Sequence, residues 1–251
     1  MFQDSTIQQK YQAMKTGGHI LSEIIHSAKK LCLPDTPSAS IDKFCYDQIK
    51  AHGCQPAFLG FQGFPASLVL CLNNEVVHGI PTEDKIIQNS DLVTLDLGLI
   101  HDGYVVDMAI SFVAGNKKNL QAQSLIDTTR YALDEVVKII RPGIHTGAIG
   151  FFIEGVAKQN HHHVIYECAG HGVGEHVHQP PTIANYGRPG EGPALTVGQT
   201  IAIEPIMSLG TNHTYTLSDG WTMVTEDDSL AAQSEHTLIV TPEGCEILTK
   251  P

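Results

Sequence analysis

The fold follows from residues 92–113, which have the sequence LVTLDLGLIHDGYVVDMAISFV. Two apolar, strand-like runs flank Asp102-Gly103, and an Asp-Gly pair between such runs is a strong signal for a β-hairpin. The first run carries Asp96 and the second carries Asp107. A two-residue loop puts both aspartates on one face of the sheet, directly opposite if the loop is His101-Asp102 and diagonal if it is Asp102-Gly103. A three-residue loop puts them on opposite faces unless a bulge restores the alternation.

Two aspartates at cross-strand distance repel each other. Either a cation lies between them, or one is solvated at the rim and the other forms a salt bridge. Three more candidate ligands occur in short strand-like runs: His171 in GHGVG, Glu204 in AIEP and Glu235 in SEHT. Acidic side chains among Val, Leu and Ile are costly to bury unless they are paired, hydrogen-bonded or bound to a metal. Together the five residues can hold two divalent metal ions.

Glycine surrounds His171 at positions 170, 172 and 174, which lets the backbone approach a bound group closely. An isolated histidine is more often a core or surface residue than a ligand. Here the chain continues to His176 and His178, and this density of imidazoles favours a ligand or catalytic role for His171.

Composition sets the class of protein. The chain has 251 residues, of which 42% are apolar and 17% charged, as expected of a soluble globular protein with an ample core. It contains no run of about 18 apolar residues, and the polar start from Met1 to Met14 lacks the apolar centre of a signal peptide, so we expect a cytoplasmic protein. Six cysteines without C-x-x-C spacing predict free, buried thiols.

The formal net charge of −12, without a cluster of Lys or Arg, argues against partners that are nucleic acids or anionic membranes. It suits a cationic substrate such as a peptide with a free amino terminus. Solubility alone also explains an acidic chain.

Hydrophobic periodicity predicts helices alternating with hairpins. The first helix is capped by Ser5 or Thr6 and weakened in its middle by Gly17-Gly18. The later predicted elements are helices at 40–52, 120–140 and 146–159, strands at 67–73 and 91–114, and short strands from Val164 onward with a hairpin around Asp219-Gly220-Trp221. Thr146 is the expected cap of the last helix. A His-Gly pair in each half, at positions 78 and 171, hints at a duplicated plan.

These motifs, in this order and spacing, resemble the type I methionine aminopeptidases, metallopeptidases with the "pita-bread" fold, over residues 5–248. The resemblance rests on six runs: NEVVHGIP (74–81), LDLG with Asp107 eleven residues after its aspartate, GHGVG (170–174), IEP (203–205), DGWT (219–222) and SEHT (234–237). It implies an α+β fold in which two pseudo-symmetric halves of antiparallel sheet are covered by helices. Residues 1–251 are expected to form a single catalytic domain.

The resemblance also implies the metal ligands. Asp107 and Glu235 would bridge two divalent ions, Asp96 would complete the shell of one ion, and His171 with Glu204 would complete the other. Four carboxylates balance the charge of two such ions, and an oxygen-rich set with one imidazole suits Mn, Fe, Co or Zn.

The implied reaction is hydrolytic removal of methionine from the N-termini of peptides and nascent proteins, by a monomer. Glu204 would shuttle the proton from water to the leaving amine. His78 and His178 would hydrogen-bond the scissile amide and the developing tetrahedral oxygen.

The residues that match the family's methionine pocket are Phe58, Phe61, Phe64, Val69, Val177 and Trp221. Members of the family often have tyrosine at 61 and 64, cysteine at 58 and 69, and phenylalanine at 177, so this pocket stays apolar with a changed shape. His176 is an additional imidazole expected at the rim. The run His161 to His163 is expected to be solvated and receives no function.

Two other classes remain open. A proline-directed dipeptidase or aminopeptidase of the same fold would share the five ligands, but such enzymes usually carry an extra amino-terminal domain, for which we expect no room before Ile7. A binding protein that has lost catalysis would lack at least one ligand, and here none is missing.

Overall fold

The computed structural model describes Phe2 and residues 4–250. The helices are α1 (Ser5–Leu31), α2 (Ser38–Ala51), α3 (Leu120–Val136) and α4 (Thr146–Gln159), with 3-10 turns at Phe61–Gly63 and Val137–Ile139. The strands are β1 (Gln55–Pro56), β2 (Leu68–Leu72), β3 (Glu75–Val77), β4 (Leu92–His101), β5 (Tyr104–Val113), β6 (His163–Val164), β7 (Ala169–Gly172), β8 (Gln179–Ala184), β9 (Thr200–Ile203), β10 (Ile206–Ser208), β11 (Thr214–Thr216), β12 (Met223–Thr225), β13 (Ala231–Gln233), β14 (His236–Val240) and β15 (Cys245–Ile247).

The chain is organised as two halves, each with an antiparallel sheet and two helices. In the first half, β4 pairs with β1, β2 and β5, and α1 and α2 pack on this sheet. In the second half, the sheet has the order β15-β14-β9-β7-β8, with α4 against β8 and α3 against α4. Two smaller sheets, β13-β10-β6 and β11-β12-β3, complete the structure. The predicted α+β class is confirmed.

Each half has its own apolar core. The larger core cluster includes Leu21, Leu70 and Leu97, and the second includes Leu125 and Ile201. Burying a side chain of this size contributes about 1.5–3 kcal/mol, so these clusters hold the sheets and helices in fixed positions. The functional side chains described below project from this rigid frame.

The hairpin of β4 and β5 turns at Asp102-Gly103. His101 pairs with Tyr104, and the two loop residues have φ values of 47° and 83°, the left-handed backbone of a two-residue hairpin turn. Asp96 therefore pairs with Ala109, and Asp107 with Gly98. The two aspartates are diagonal neighbours on one face, which is one of the registers expected from the sequence.

Helix α1 begins differently from its prediction. Asp4, not Ser5 or Thr6, is the N-cap, and its carboxylate accepts hydrogen bonds from Thr6 N and Ile7 N. The helix runs unbroken through Gly17-Gly18. A Cβ at Gly18 would overlap the Leu248 carbonyl oxygen, so this glycine permits close packing of α1 on the chain after β15.

Other boundaries shift by a few residues. Helix α2 starts two residues earlier than predicted, at Ser38, and α3 ends at Val136 before a 3-10 turn instead of continuing to Ile140. Helix α4 starts at Thr146, but its N-cap is His145, which makes no side-chain capping bond. Among the described helices, none has both the length and the apolar character needed to cross a membrane.

The cysteine prediction is confirmed, with one nuance. All six thiols are free; five are buried, and Cys245 is partly exposed. The prediction of three solvated histidines at 161–163 is wrong for His162, whose ring is only 8% exposed. Its backbone N–H donates to Ala157 O of α4 (2.9 Å), and the preceding residue, His161, has a left-handed backbone with a φ of 59°.

Candidate metal centre

The five predicted ligands come from both halves of the fold. Asp96 and Asp107 lie on β4 and β5, His171 lies on β7, Glu204 directly follows β9, and Glu235 directly precedes β14. Three hydrogen bonds join the halves at this point. Thr237 Oγ1 donates to Asp107 O (2.8 Å) and accepts from Asp107 N (2.9 Å), and Glu235 N donates to Ala109 O (2.9 Å).

These contacts bring the side chains together. Ligand atoms of Asp107, His171 and Glu235 all lie within 4.8 Å of one another. His171 Nε2 is 3.5 Å from Glu204 Oε1, and Asp96 is placed beside Asp107 by the hairpin register. Asp96 and Glu204 stand at the edge of the tight group of three.

The four carboxyl groups are buried close together. Burial raises the pKa of Asp96 to about 7. Burial, and then repulsion by neighbouring carboxylates, raises the pKa of Asp107, Glu204 and Glu235 well above the usual range. Among the described residues, no lysine or arginine forms a salt bridge with any of them. The ionised cluster therefore requires positive charge from outside the protein.

The donor atoms fit a divalent metal. Asp96 Oδ1, Asp107 Oδ1 and Glu235 Oε1 are buried and have no hydrogen-bond partner, a costly state that metal coordination relieves. Burial lowers the pKa of His171 to about 4, so its imidazole is neutral, the form that binds metals. Its Nδ1 lies 3.0 Å from Gly172 O and donates to it, which leaves the lone pair of Nε2 available to a metal ion.

The centre lies at the bottom of a cavity of about 410 Å³. Every site residue predicted from the sequence lines this cavity: Phe58, Phe61, Phe64, Val69, His78, Asp96, Asp107, His171, Val177, His178, Glu204, Trp221 and Glu235. A larger, more open cavity of about 1210 Å³ lies beside the C-terminal end of α1. Its lining includes two lysines and one glutamate, and the described lining residues contain no group of carboxylates like that of the candidate metal centre.

His78 and His178 lie on the cavity wall and are accessible from it. The His178 ring is 4.4 Å from the His171 ring and 5.4 Å from Phe61, measured between centroids. His78 has a left-handed backbone with a φ of 59°, which is unusual for a residue with a side chain. Desolvation lowers the pKa of both, and the neighbouring His178 lowers that of His78 further. Both rings are therefore neutral near pH 7.

The apolar part of the cavity is built from aromatic edges. Phe64 and Trp221 make an edge contact at 5.2 Å between ring centroids. Phe58 packs over Gly98, where a Cβ would be only 2.8 Å from its ring. His176 is exposed and outside the lining, in line with its expected place at the rim.

Some residues in and around the cavity were not predicted. Val77, Cys168 and Met223 also line the apolar wall. Gln233 lies behind the carboxylates and hydrogen-bonds two of them. Its position two residues before Glu235, on the same side of an extended chain, is the one sequence signal that could have identified it.

A fold of two antiparallel halves that share a buried centre of carboxylates and one imidazole defines a metal-dependent hydrolase. The chain belongs to metallopeptidase family M24, whose profile matches residues 12–242.

Curated relatives agree with this. A methionine aminopeptidase of Mycoplasma capricolum is 35% identical over 97% of this chain and 96% of its own length. One from Aquifex aeolicus is 36% identical over 97% of each chain.

Solved structures extend the comparison. Methionine aminopeptidase from Thermotoga maritima superposes with a TM-score of 0.94 at 34% identity, and the match covers 97% of both chains. The prolidase of Pyrococcus horikoshii matches with a TM-score of 0.76 at 20% identity over 96% of this chain but 62% of its own. At that identity the likeness shows the fold alone. The predicted pita-bread fold and the predicted metallopeptidase class are confirmed.

Proposed function

We propose that the protein removes methionine from the N-termini of peptides and nascent proteins by metal-dependent hydrolysis. The observation that carries the proposal is the group of buried carboxylates around His171, three of whose oxygens have no hydrogen-bond partner, beside an apolar cavity wall. The similarity to methionine aminopeptidases over almost the whole chain supports this substrate class. A prolidase-like activity has the support of fold alone.

We propose that two divalent ions are held by Asp96, Asp107, His171, Glu204 and Glu235. Oxygen ligands with one imidazole are compatible with Mn, Fe, Co and Zn. When bound, such ions act as Lewis acids that polarise a carbonyl oxygen and lower the pKa of water.

Glu204 is the proposed proton shuttle. Its carboxyl group is buried, lines the cavity and faces His171 through Oε1. A carboxylate in this position can take a proton from the attacking water and deliver it to the nitrogen of the leaving amine.

His78 and His178 are the proposed substrate-binding imidazoles. Each neutral ring keeps one N–H donor, which can bond the scissile amide or the oxygen on which negative charge develops. They reach the cavity from separate segments, the loop after β3 and the loop before β8. This arrangement orients the peptide bond above the carboxylates.

The apolar wall is the proposed methionine pocket. The apolar part of the cavity lining consists of Phe58, Phe61, Phe64, Val69, Val177 and Trp221. Glu167 also lines the cavity, and its carboxylate is paired with His213 at 2.9 Å. Aromatic faces and edges make favourable contacts with a thioether sulfur. An acidic chain also favours approach of a substrate with a positively charged amino terminus.

We further propose that residues 1–251 act as one catalytic domain, as a monomer in the cytoplasm. Ligands supplied by both halves support a single catalytic unit. Sedimentation of the purified protein, with and without metal, measures the oligomeric state directly.

The proposed activity is tested with metal-stripped protein reloaded with Mn, Co, Fe or Zn. We expect methionine release from Met-Ala-Ser and Met-Gly-Met-Met with at least one metal and none without metal. Cleavage of Xaa-Pro dipeptides with no release of methionine would instead assign the chain to proline-directed hydrolysis.

A further inference from the structure

Gln233 ends strand β13 behind the carboxylate cluster and is 1% exposed. Its Nε2 donates to Glu204 Oε2 at 3.3 Å and to Glu235 Oε2 at 3.2 Å. It is not part of the cavity lining, so its amide contacts the carboxylates from the side away from the substrate. We infer that Gln233 is a positioning residue that orients Glu204 and Glu235 for metal binding and proton transfer, an inference that rests on the proposed function.

In both glutamates, the amide of Gln233 bonds one carboxylate oxygen and leaves the other without a bond to it. The Oε2 atoms are engaged by the amide, whereas Glu235 Oε1 is buried without a partner and Glu204 Oε1 faces His171 Nε2 at 3.5 Å. One amide group thus engages the Oε2 atoms of both carboxylates and leaves both Oε1 atoms without a bond to it. A glutamate without this contact is free to rotate about its last side-chain bond.

The orientation of the amide is determined by charge. If its oxygen and nitrogen were exchanged, the carbonyl oxygen would face two carboxylates, which is repulsive and makes no hydrogen bond. A glutamate at position 233 would add a further negative group to a cluster in which repulsion already raises the pKa values. The amide, which has two N–H donors and no negative charge, satisfies both neighbours at once.

The backbone of Gln233 is itself held by the hairpin that carries the two aspartates. Ser111 Oγ donates to Gln233 O (2.7 Å) and accepts from Gln233 N (3.0 Å). Thr94, which pairs directly with Ser111 across β4 and β5, lies 2.7 Å from Ser111 Oγ through its hydroxyl. Thr94 and Ser111 are on the same face of the hairpin as Asp96 and Asp107.

A continuous set of hydrogen bonds therefore links the first half of the fold to the glutamates of the second. It runs from Thr94 through Ser111 and Gln233 to Glu204 and Glu235. The β4–β5 hairpin, which carries the two aspartates, thus also holds Gln233, whose amide orients the two glutamates. Removing such an outer hydrogen bond typically weakens metal affinity by about 10–100-fold.

The test compares three variants. Gln233→Met keeps the volume and removes the donor. Gln233→Asn keeps an amide that is one methylene too short to reach both glutamates, and it provides a second reading if the first variant folds poorly. Thr129→Val is the matched control, because it removes a fully buried hydroxyl that donates to Leu125 O within α3, away from the centre.

Metal affinity is measured by calorimetric titration of metal-free protein with Mn²⁺, and ligand geometry by the visible absorption spectrum of the Co²⁺-loaded protein. We expect Gln233→Met to weaken Mn²⁺ binding about 10–100-fold and to change the Co²⁺ spectrum, with a smaller change in Gln233→Asn. Thr129→Val should lower the melting temperature and leave both metal readouts unchanged.

Wild-type affinity and spectrum in both Gln233 variants would overturn the inference, whatever their melting temperatures, because Gln233 would then be a packing residue only. These readouts do not depend on peptide cleavage. If wild-type protein binds Mn²⁺ but releases no methionine, the proposed function fails and the positioning role of Gln233 is still decided by the titration.

Discussion

At the scale of single residues, His171 and His178 are close in sequence and in space, but we propose different roles for them: metal ligand for His171 and substrate binding for His178. Their ring centroids are 4.4 Å apart. His171 is fixed by its bond to Gly172 O and faces Glu204, whereas His178 contacts Phe61 and is accessible from the cavity. The resemblance implied a ligand role for His171 and a substrate-binding role for His178, and the different surroundings of the two rings are compatible with these two proposals.

We predict that His171→Ala weakens metal binding and is partly rescued by excess metal, as the loss of a ligand requires. His178→Ala should keep its metal and lower turnover by about 10²-fold, the effect of one lost donor to a developing oxyanion. Metal content and kinetics are measured on the same preparations. Loss of metal in His178→Ala with retention in His171→Ala would reverse the two assignments.

Glu204→Gln should lower turnover by about 10²–10⁴-fold even with metal at saturation, since an amide cannot carry the proton from water to the leaving amine. The measurement is kcat for Met-Ala-Ser at saturating Mn²⁺, with bound metal determined in parallel. Near-normal kcat in a verified preparation would rule out Glu204 as the shuttle.

From the pocket side chains we predict that the protein accepts peptides with different unbranched apolar residues at the first position. Because Phe61 and Phe64 present no hydroxyl groups, peptides beginning with methionine and norleucine should have kcat/KM values within about tenfold of each other. A first-position lysine should be rejected, since its charge would lack a partner. Efficient cleavage of Lys-Ala-Ser, assayed beside Met-Ala-Ser, would contradict the proposed pocket.

At the scale of elements, the sequence predicted the strands of the hairpin and narrowed its register to a few choices. The choice between opposite and diagonal aspartates depended on which pair of residues formed the loop, and both pairs contain Asp102. Helix ends were predicted less well. Asp4 and Ser5 are both good caps, and only the three-dimensional contacts of Asp4 with the following amides decide between them.

Gly17-Gly18 was interpreted as a weakness of α1, and the structure gives it a packing role. A Cβ at Gly18 would overlap the Leu248 carbonyl oxygen, whereas a Cβ at Gly155 in α4 would have open space. Gly18→Ala should therefore lower the free energy of unfolding by about 1–3 kcal/mol, despite the better helix propensity of alanine.

Gly155→Ala is the matched control for Gly18 and should stabilise the protein by about 0.4–1 kcal/mol. Urea denaturation of both variants checks the pair. A stabilised Gly18→Ala would mean that α1 does not need the close approach to Leu248.

At the scale of the whole molecule, metal binding and protonation compete for the same atoms. Asp96 in the metal-free protein has a pKa of about 7, above the value of 3.8 expected in the unfolded chain. The folded metal-free state thus binds an extra proton between these pH values, and Asp96 makes that state more stable as pH falls through the window. Metal needs the ionised carboxylate, so its affinity should decrease over the same window.

Because metal ions and protons compete for the same carboxylates, we predict that metal binding releases protons. At pH 6, calorimetric titration with Mn²⁺ should give apparent enthalpies that depend on the ionisation heat of the buffer, and the contribution of Asp96 to this dependence should shrink as the pH rises above about 7. Enthalpies that are the same in all buffers at pH 6 would show that the carboxylates are already ionised before metal arrives.

The resemblance implied every ligand proposed for the centre, because these ligands occur in short motifs with a fixed order and spacing. Most pocket residues, such as Phe58 and Val69, lie outside those motifs and were matched by position. Gln233 and its support by Ser111 escaped this reasoning. Their hydrogen bonds join residues that are 122 positions apart in the chain, and no local pattern reports such a contact. Short sequence patterns therefore predict which residues could act at a site more readily than they predict hydrogen bonds between distant strands.

The hydrogen bonds between Asp107 and Thr237 span 130 residues, and this separation bears on how the protein folds. Contacts between such distant segments form slowly, because a long loop must close before they are made. The aspartates can be arranged early within their local hairpin, but the complete ligand set exists only after the last sheet has docked. The rate at which refolding protein acquires the colour of bound Co²⁺ should therefore follow the slowest step of folding, and lag behind the burial of the first apolar core.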